Sequence, residues 1–141
     1  MYNGRDRREE NVFGGVKVFY YVKKFEEDLD FLWERFKKRL EEEGFLLIGE
    51  RIPVAIVERE DGIVADYHLL FICDKELVAE LVKIDPNIGA LLPCTGFGYR
   101  REDGNYLGVT LPSVAWKIAG KEISELMKPM EERVKAIIDS L

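Results

Sequence analysis

The spacing of hydrophobic positions changes period several times along the chain, and each change marks an element. Residues 15–24, GVKVFYYVKK, are rich in valine and aromatics and predict a first strand. From Phe25 the period lengthens: Leu29, Leu32, Trp33, Phe36 and Leu40 share one helical face, and Glu26, Glu27 and Asp28 occupy a first turn where the helix dipole favours carboxylates. Gly44 supplies the stop, because glycine accepts the left-handed conformation that ends helices. Such a stripe normally faces a sheet, so Trp33 and Phe36 are expected in the core rather than in a ligand pocket. Residues 45–48 return as a strand, with Glu50 and Arg51 at its polar exit and Pro53 beyond. Residues 54–58 read as a further short strand. Asp61-Gly62 marks a turn, after which residues 63–73 alternate Tyr67, Leu69, Phe71 and Cys73 against His68, Leu70 and Ile72. Both sets are largely apolar, which predicts a central strand.

Asp74 is placed to cap a helix over residues 75–84, whose Leu77, Val78, Leu81 and Val82 form one face. Asp85-Pro86-Asn87 with Gly89 ends it, and Leu91-Leu92-Pro93-Cys94 leads into a strand through Tyr99. Asp103-Gly104-Asn105, between YRRE and YLGVTL, is a hairpin signal closed by Pro112. Ser113 is expected to cap a short helix to Ala119, with Gly120 as separator. Residues 122–141 place Ile123, Leu126, Met127, Met130, Val134, Ile137, Ile138 and Leu141 along one amphipathic face, and Pro129 demands a kink or a break there. That stripe is expected to pack on the chain's own sheet. The order β-α-β-(β)-β-α-β-β-α, mostly antiparallel, predicts an α+β two-layer sandwich with its helices on one face.

Composition narrows the reading. At 141 residues, 47% hydrophobic and 34% charged, the chain is long and apolar enough for one core. A single domain over residues 15–141 is expected, preceded by a flexible tail over residues 1–14. No apolar run approaches the roughly 20 residues needed to cross a bilayer, and the start lacks a secretory pattern, so a cytoplasmic protein without membrane partners is expected. A net charge of −6 argues against nucleic-acid binding, which needs clustered Lys and Arg. The absence of Gln and the abundance of Glu, Lys and Arg suggest a thermophilic protein.

Candidate chemistry is sparse. Gly96-Phe97-Gly98-Tyr99 fails as a dinucleotide fingerprint, since position 101 is Arg101 and a hairpin follows. It also fails as an RNA-recognition strand, because Thr95 precedes it and Arg100-Arg101-Glu102 follows. A strand whose glycines permit close approach or a bulge is the simpler account. His68 is the only imidazole, which excludes a multi-histidine site within one subunit and favours a structural histidine. Cys73 ends a strand just before an N-cap, where amides stabilise a thiolate, although Asp74 opposes this. Cys94 opens a strand expected to run beside it. Both cysteines also suit simple apolar burial. No residue set composes a catalytic constellation, and no cofactor or metal site is specified.

Gly44-Phe45 after the first helix, a strand ending on Cys73, Asp85-Pro86, Gly89 and Leu91-Leu92-Pro93-Cys94 together resemble the family called domain of unknown function 302, from about Val16 onward. One position departs: the family's cysteine followed by Asn-Pro is here Cys73-Asp74-Lys75. The resemblance implies a small α+β domain related in topology to the TATA-binding-protein-like fold and tending to homodimerise, with no established activity. The resulting expectation is a homodimeric module binding a small molecule or a protein, with Cys73, Cys94 and His68 as candidate ligand-binding residues. The alternative is a thiol-dependent redox or soft-metal protein using Cys73 and Cys94.

Overall fold

A computed structural model describes residues 12–13, 16–51, 65–92 and 94–141. A short ribbon pairs β1 (Val12–Phe13) with β2 (Val16–Lys17). The main sheet has five strands, β3 (Tyr20–Phe25), β4 (Leu46–Arg51), β5 (Ala65–Cys73), β6 (Cys94–Arg101) and β7 (Gly104–Thr110). They lie in the order β3-β7-β6-β5-β4, and every neighbouring pair is antiparallel. Among the described residues five α-helices accompany it: α1 (Leu29–Glu42), α2 (Lys75–Ile84), α3 (Pro112–Ala115), α4 (Lys121–Leu126) and α5 (Lys128–Asp139). The α+β two-layer class read from the pattern is the observed one. The short strand expected at residues 54–58 lies outside the described residues, as does most of the expected tail.

The first helix explains the glycines of β6. Leu29, Leu32, Trp33, Phe36 and Leu40 are buried against the sheet. A Cβ at Gly96 would come within 3.1 Å of the Phe36 ring, and one at Gly98 within 3.0 Å of the Trp33 indole. The glycines of this strand therefore make room for two large rings of α1. Asp28 proves to be the N-cap, accepting from the Phe31 amide, so Glu26 and Glu27 precede the helix rather than fill its first turn. Gly44, at φ +93°, takes the left-handed position beyond the C-cap.

The C-terminal stripe is consumed by the fold. Met130, Val134, Ile137 and Ile138 are buried, and α5 packs on α1, β3 and β7. At about 1.5–3 kcal/mol for each fully buried aliphatic side chain, this face belongs to the core. Pro129 causes a break: α4 ends at Leu126, Met127 is the joint, and the proline sits in the first turn of α5, where its missing amide costs nothing. Ser113 does not cap its helix. Leu111 holds that position without a side-chain bond and Pro112 starts the helix. The Ser113 hydroxyl and amide instead donate to Glu131 Oε1 at 2.7 and 2.9 Å, a buried link between α3 and α5.

Candidate functional site

Strand alternation assigns each residue of β5 and β6 to a face. His68, Leu70 and Ile72 on β5, with Cys94, Gly96 and Gly98 on β6, point toward the helices and are buried. Tyr67, Leu69 and Phe71, with Thr95, Phe97 and Tyr99, point the other way and are half-exposed.

On that second face the aromatic rings stand parallel. Tyr99 lies between Tyr67 and Tyr106, with ring centres 5.8 and 5.2 Å away and planes inclined by 3° and 12°. Phe97 continues the row at 6.3 Å and 6°. The register explains the arrangement, because Tyr99 pairs with Tyr106 across β6–β7 and Phe97 pairs with Gly108. A Cβ at Gly108 would fall 2.4 Å from the Phe97 ring, so this glycine lets the ring lie across β7. Beside the row is a basin of 340 Å³ lined by Phe19, Tyr20, Val22, Tyr67, Leu69, Thr95, Phe97, Tyr99 and Thr110. Phe19, 60% exposed, stands at its rim. Among the described lining residues the non-phenolic polar side chains are Thr95 and Thr110, and the Thr110 hydroxyl donates to the Thr95 carbonyl at 3.3 Å. Burial raises the Tyr67 phenol above its ordinary value, so it stays protonated.

The two cysteines do come together. Cys94 is paired with Ile72, the neighbour of Cys73, and both thiols line one small cavity of 80 Å³ between the end of β5, α2 and the α4–α5 joint. Both are free thiols, Cys94 buried and Cys73 half-buried. Burial pushes the Cys94 thiol up to about 12, and burial followed by the Asp74 charge raises Cys73 as well. Neither is therefore poised as a thiolate nucleophile at neutral pH. Asp74 is the N-cap expected of it: its Oδ1 accepts from the Leu77 amide at 3.2 Å while its Oδ2 accepts from Arg133 at 3.1 Å.

His68 is placed apart from them. It lies five residues before Cys73 on the same strand, roughly 17 Å away in extended chain, and does not line the cysteine cavity. It is 7% exposed beneath α1, its ring 5.0 Å from that of Trp33 in an edge contact, and its Nδ1 is 2.7 Å from the Asp66 carbonyl. Asp66 adopts φ +51° to present that carbonyl, at the point where the β5–β6 register shifts, and Arg100 pairs with its carboxylate. Burial holds the imidazole below its ordinary value despite Asp30 and Glu50 nearby. Glu50 itself accepts from Trp33 Nε1 at 2.6 Å and Lys37 Nζ at 2.9 Å, and these bonds outweigh burial to lower its carboxyl. Among the described residues no three His, Cys, Asp or Glu side chains converge on one point.

A family model described as domain of unknown function DUF302 matches residues 21–141. The chain belongs to this family. Three solved chains match this one in structure. One is the crystal structure of an uncharacterised conserved DUF302 protein from Bacillus stearothermophilus, 20% identical, with a TM-score of 0.75 over 86% of this chain and 97% of that one. At that identity the likeness concerns the fold. Comparison with curated proteins gives no match. The functional reading of this DUF302 domain therefore rests on its own surfaces. Among the described residues no helix is long and apolar enough to cross a membrane.

The basin residues escaped the sequence reading, although a signal was present. Thr95, Phe97 and Tyr99 alternate with Gly96 and Gly98, a strand with rings on one face and none on the other. Read as a dinucleotide fingerprint or an RNA-recognition strand the stretch fails, and it is the alternation itself that marks a face of rings.

Proposed function

We propose that this DUF302 domain is a binding module that takes a flat, uncharged, ring-bearing small molecule into the basin beside Tyr99, and that it acts as a homodimer. The observation that carries the reading is the row of parallel rings bordering an apolar basin, since aromatic faces favour planar apolar partners by offset stacking. Among the described residues the lining holds no carboxylate, imidazole or thiol, which supports binding rather than chemistry. It also holds no Lys or Arg, which disfavours a nucleic-acid backbone. For the dimer, support comes from β4, which stands at the edge of the sheet among the described residues and whose Leu46 and Ile48 are 47% and 58% exposed. An apolar edge of this kind is a template for pairing with a second copy.

Titration with N-phenyl-1-naphthylamine, a neutral planar fluorophore, is expected to give saturable enhancement at one site per chain. Thr95→Phe, which fills the basin, is expected to abolish it while leaving the far-UV circular dichroism unchanged. Enhancement that never saturates, or that survives Thr95→Phe, contradicts the site. Sedimentation velocity is expected to show a dimer that Leu46→Lys dissociates. A wild-type chain that remains monomeric at high concentration removes the dimer from the reading.

A further inference from the structure

The chain contains two cysteines and three methionines. Four of these five sulfur-bearing residues meet at one cavity: Cys73, Cys94, Met127 and Met130 line the same 80 Å³ space. Its remaining walls are aliphatic except for Asp74, whose carboxylate is already engaged by the Leu77 amide and Arg133. Two thiols alone make half a tetrahedral set. The structure adds two thioethers, brought in by the helix joint at Met127 and by the first turn of α5, three residues on and therefore on the same side.

We propose that this cavity is a site for a soft monovalent cation, Cu(I) or its chemical analogue Ag(I), held by Cys73, Cys94, Met127 and Met130. Three arguments select that ion. Thiolate and thioether sulfur together are donors that favour Cu(I), whereas Zn(II) needs thiolate, imidazole or carboxylate at every protein position, and among the described residues no third such group is placed with the two cysteines to supply it. Charge selects it too: a buried apolar space tolerates little net charge, and one monovalent ion on one thiolate is neutral. Size is the third, since the cavity admits a bare ion or two but no organic ligand.

Loading exchanges a proton for the metal. The S–H bond of one cysteine breaks, the sulfur lone pair forms the S–metal bond, and the proton leaves to solvent, with no change of oxidation state. Because that proton must leave for the metal to bind, affinity falls as pH falls. This site is separate from the basin and independent of the reading above.

The test is anaerobic titration of the full chain with Cu(I) against bicinchoninate as competitor, together with sulfur-shell determination by X-ray absorption. The expected result is one ion per chain, a near-ultraviolet sulfur-to-metal band, and an all-sulfur shell of three or more atoms. The double variant Met127→Leu/Met130→Leu conserves core volume and is expected to fold. Its Cu(I) affinity is expected to drop by at least the roughly tenfold that loss of even an outer partner costs a metal site. Affinity unchanged in the double variant, a shell containing nitrogen or oxygen, or uptake only after denaturation would each overturn the proposal.

Discussion

At the scale of single residues, the glycines and the lone histidine make the sharpest claims. Gly108 faces the Phe97 ring on one side and the Tyr21 carbonyl, 2.7 Å from any added Cβ, on the other. A ring can rotate but a paired backbone carbonyl cannot yield, so Gly108→Ala is expected to destabilise by about 1–3 kcal/mol, measured by chemical denaturation. Gly89, whose added Cβ would meet nothing within 4 Å, is the control expected to change little. His68 gives a pH signature. Burial holds its folded pKa below the ordinary value of 6.5, so the unfolded chain takes up the proton first, and stability present at neutral pH is lost as pH falls below about 6.5. Glu50, lowered from 4.5, retains its contribution until pH falls through its own depressed value. His68→Gln should therefore flatten the stability profile between about pH 5 and 7, the range in which an imidazole changes charge, and leave the acid limb governed by Glu50 in place. A wild-type profile already flat over that range would contradict the assignment.

At the scale of elements, periodicity was a good guide wherever a stripe met a single neighbour. The face of α1, the central position of β5 and the Asp74 cap of α2 were all legible, because each is set by residues close in sequence. What could not be read were arrangements made by distant partners. Ser113 looks like a cap but bonds Glu131, eighteen positions away, because Pro112 already starts the helix and α5 offers a buried carboxylate. The cysteines were legible as neighbours on adjacent strands, yet Met127 and Met130 join them only because the chain breaks at Met127 and turns α5 back across the sheet. His68 was grouped with the cysteines as a candidate, whereas the strand's length separates them. Pro129 illustrates the remaining ambiguity: the sequence allowed a kink or a break, and its place in the first turn decides for a break. Pro129→Ala is accordingly expected to destabilise by about 0.4–1 kcal/mol through the unfolded chain's added freedom. A marked gain in stability would instead indicate that the proline strains a continuous helix.

At the scale of the whole molecule, the two faces of the sheet divide the labour. One face, beneath α1 and α5, holds the chain together, and Arg133 stitches its periphery by reaching both Asp74 and the Glu43 carbonyl while lying 4.3 Å over the Phe45 ring. The other face bears the stacked rings and the basin. Abundant Lys and Glu with exposed ion pairs such as Arg35–Glu27 at 2.7 Å fit a thermophilic protein, as proposed from composition. A melting midpoint above the ordinary mesophile range of about 45–65 °C is the expected outcome, and one inside it would count against that origin. The functional claim is tested most directly by mapping amide chemical shifts during titration with N-phenyl-1-naphthylamine. The account predicts that the perturbed amides cluster at Tyr20, Leu69, Thr95, Phe97, Tyr99 and Thr110, around the basin. Perturbations centred on the helix-covered face, or none at saturating probe, would contradict it.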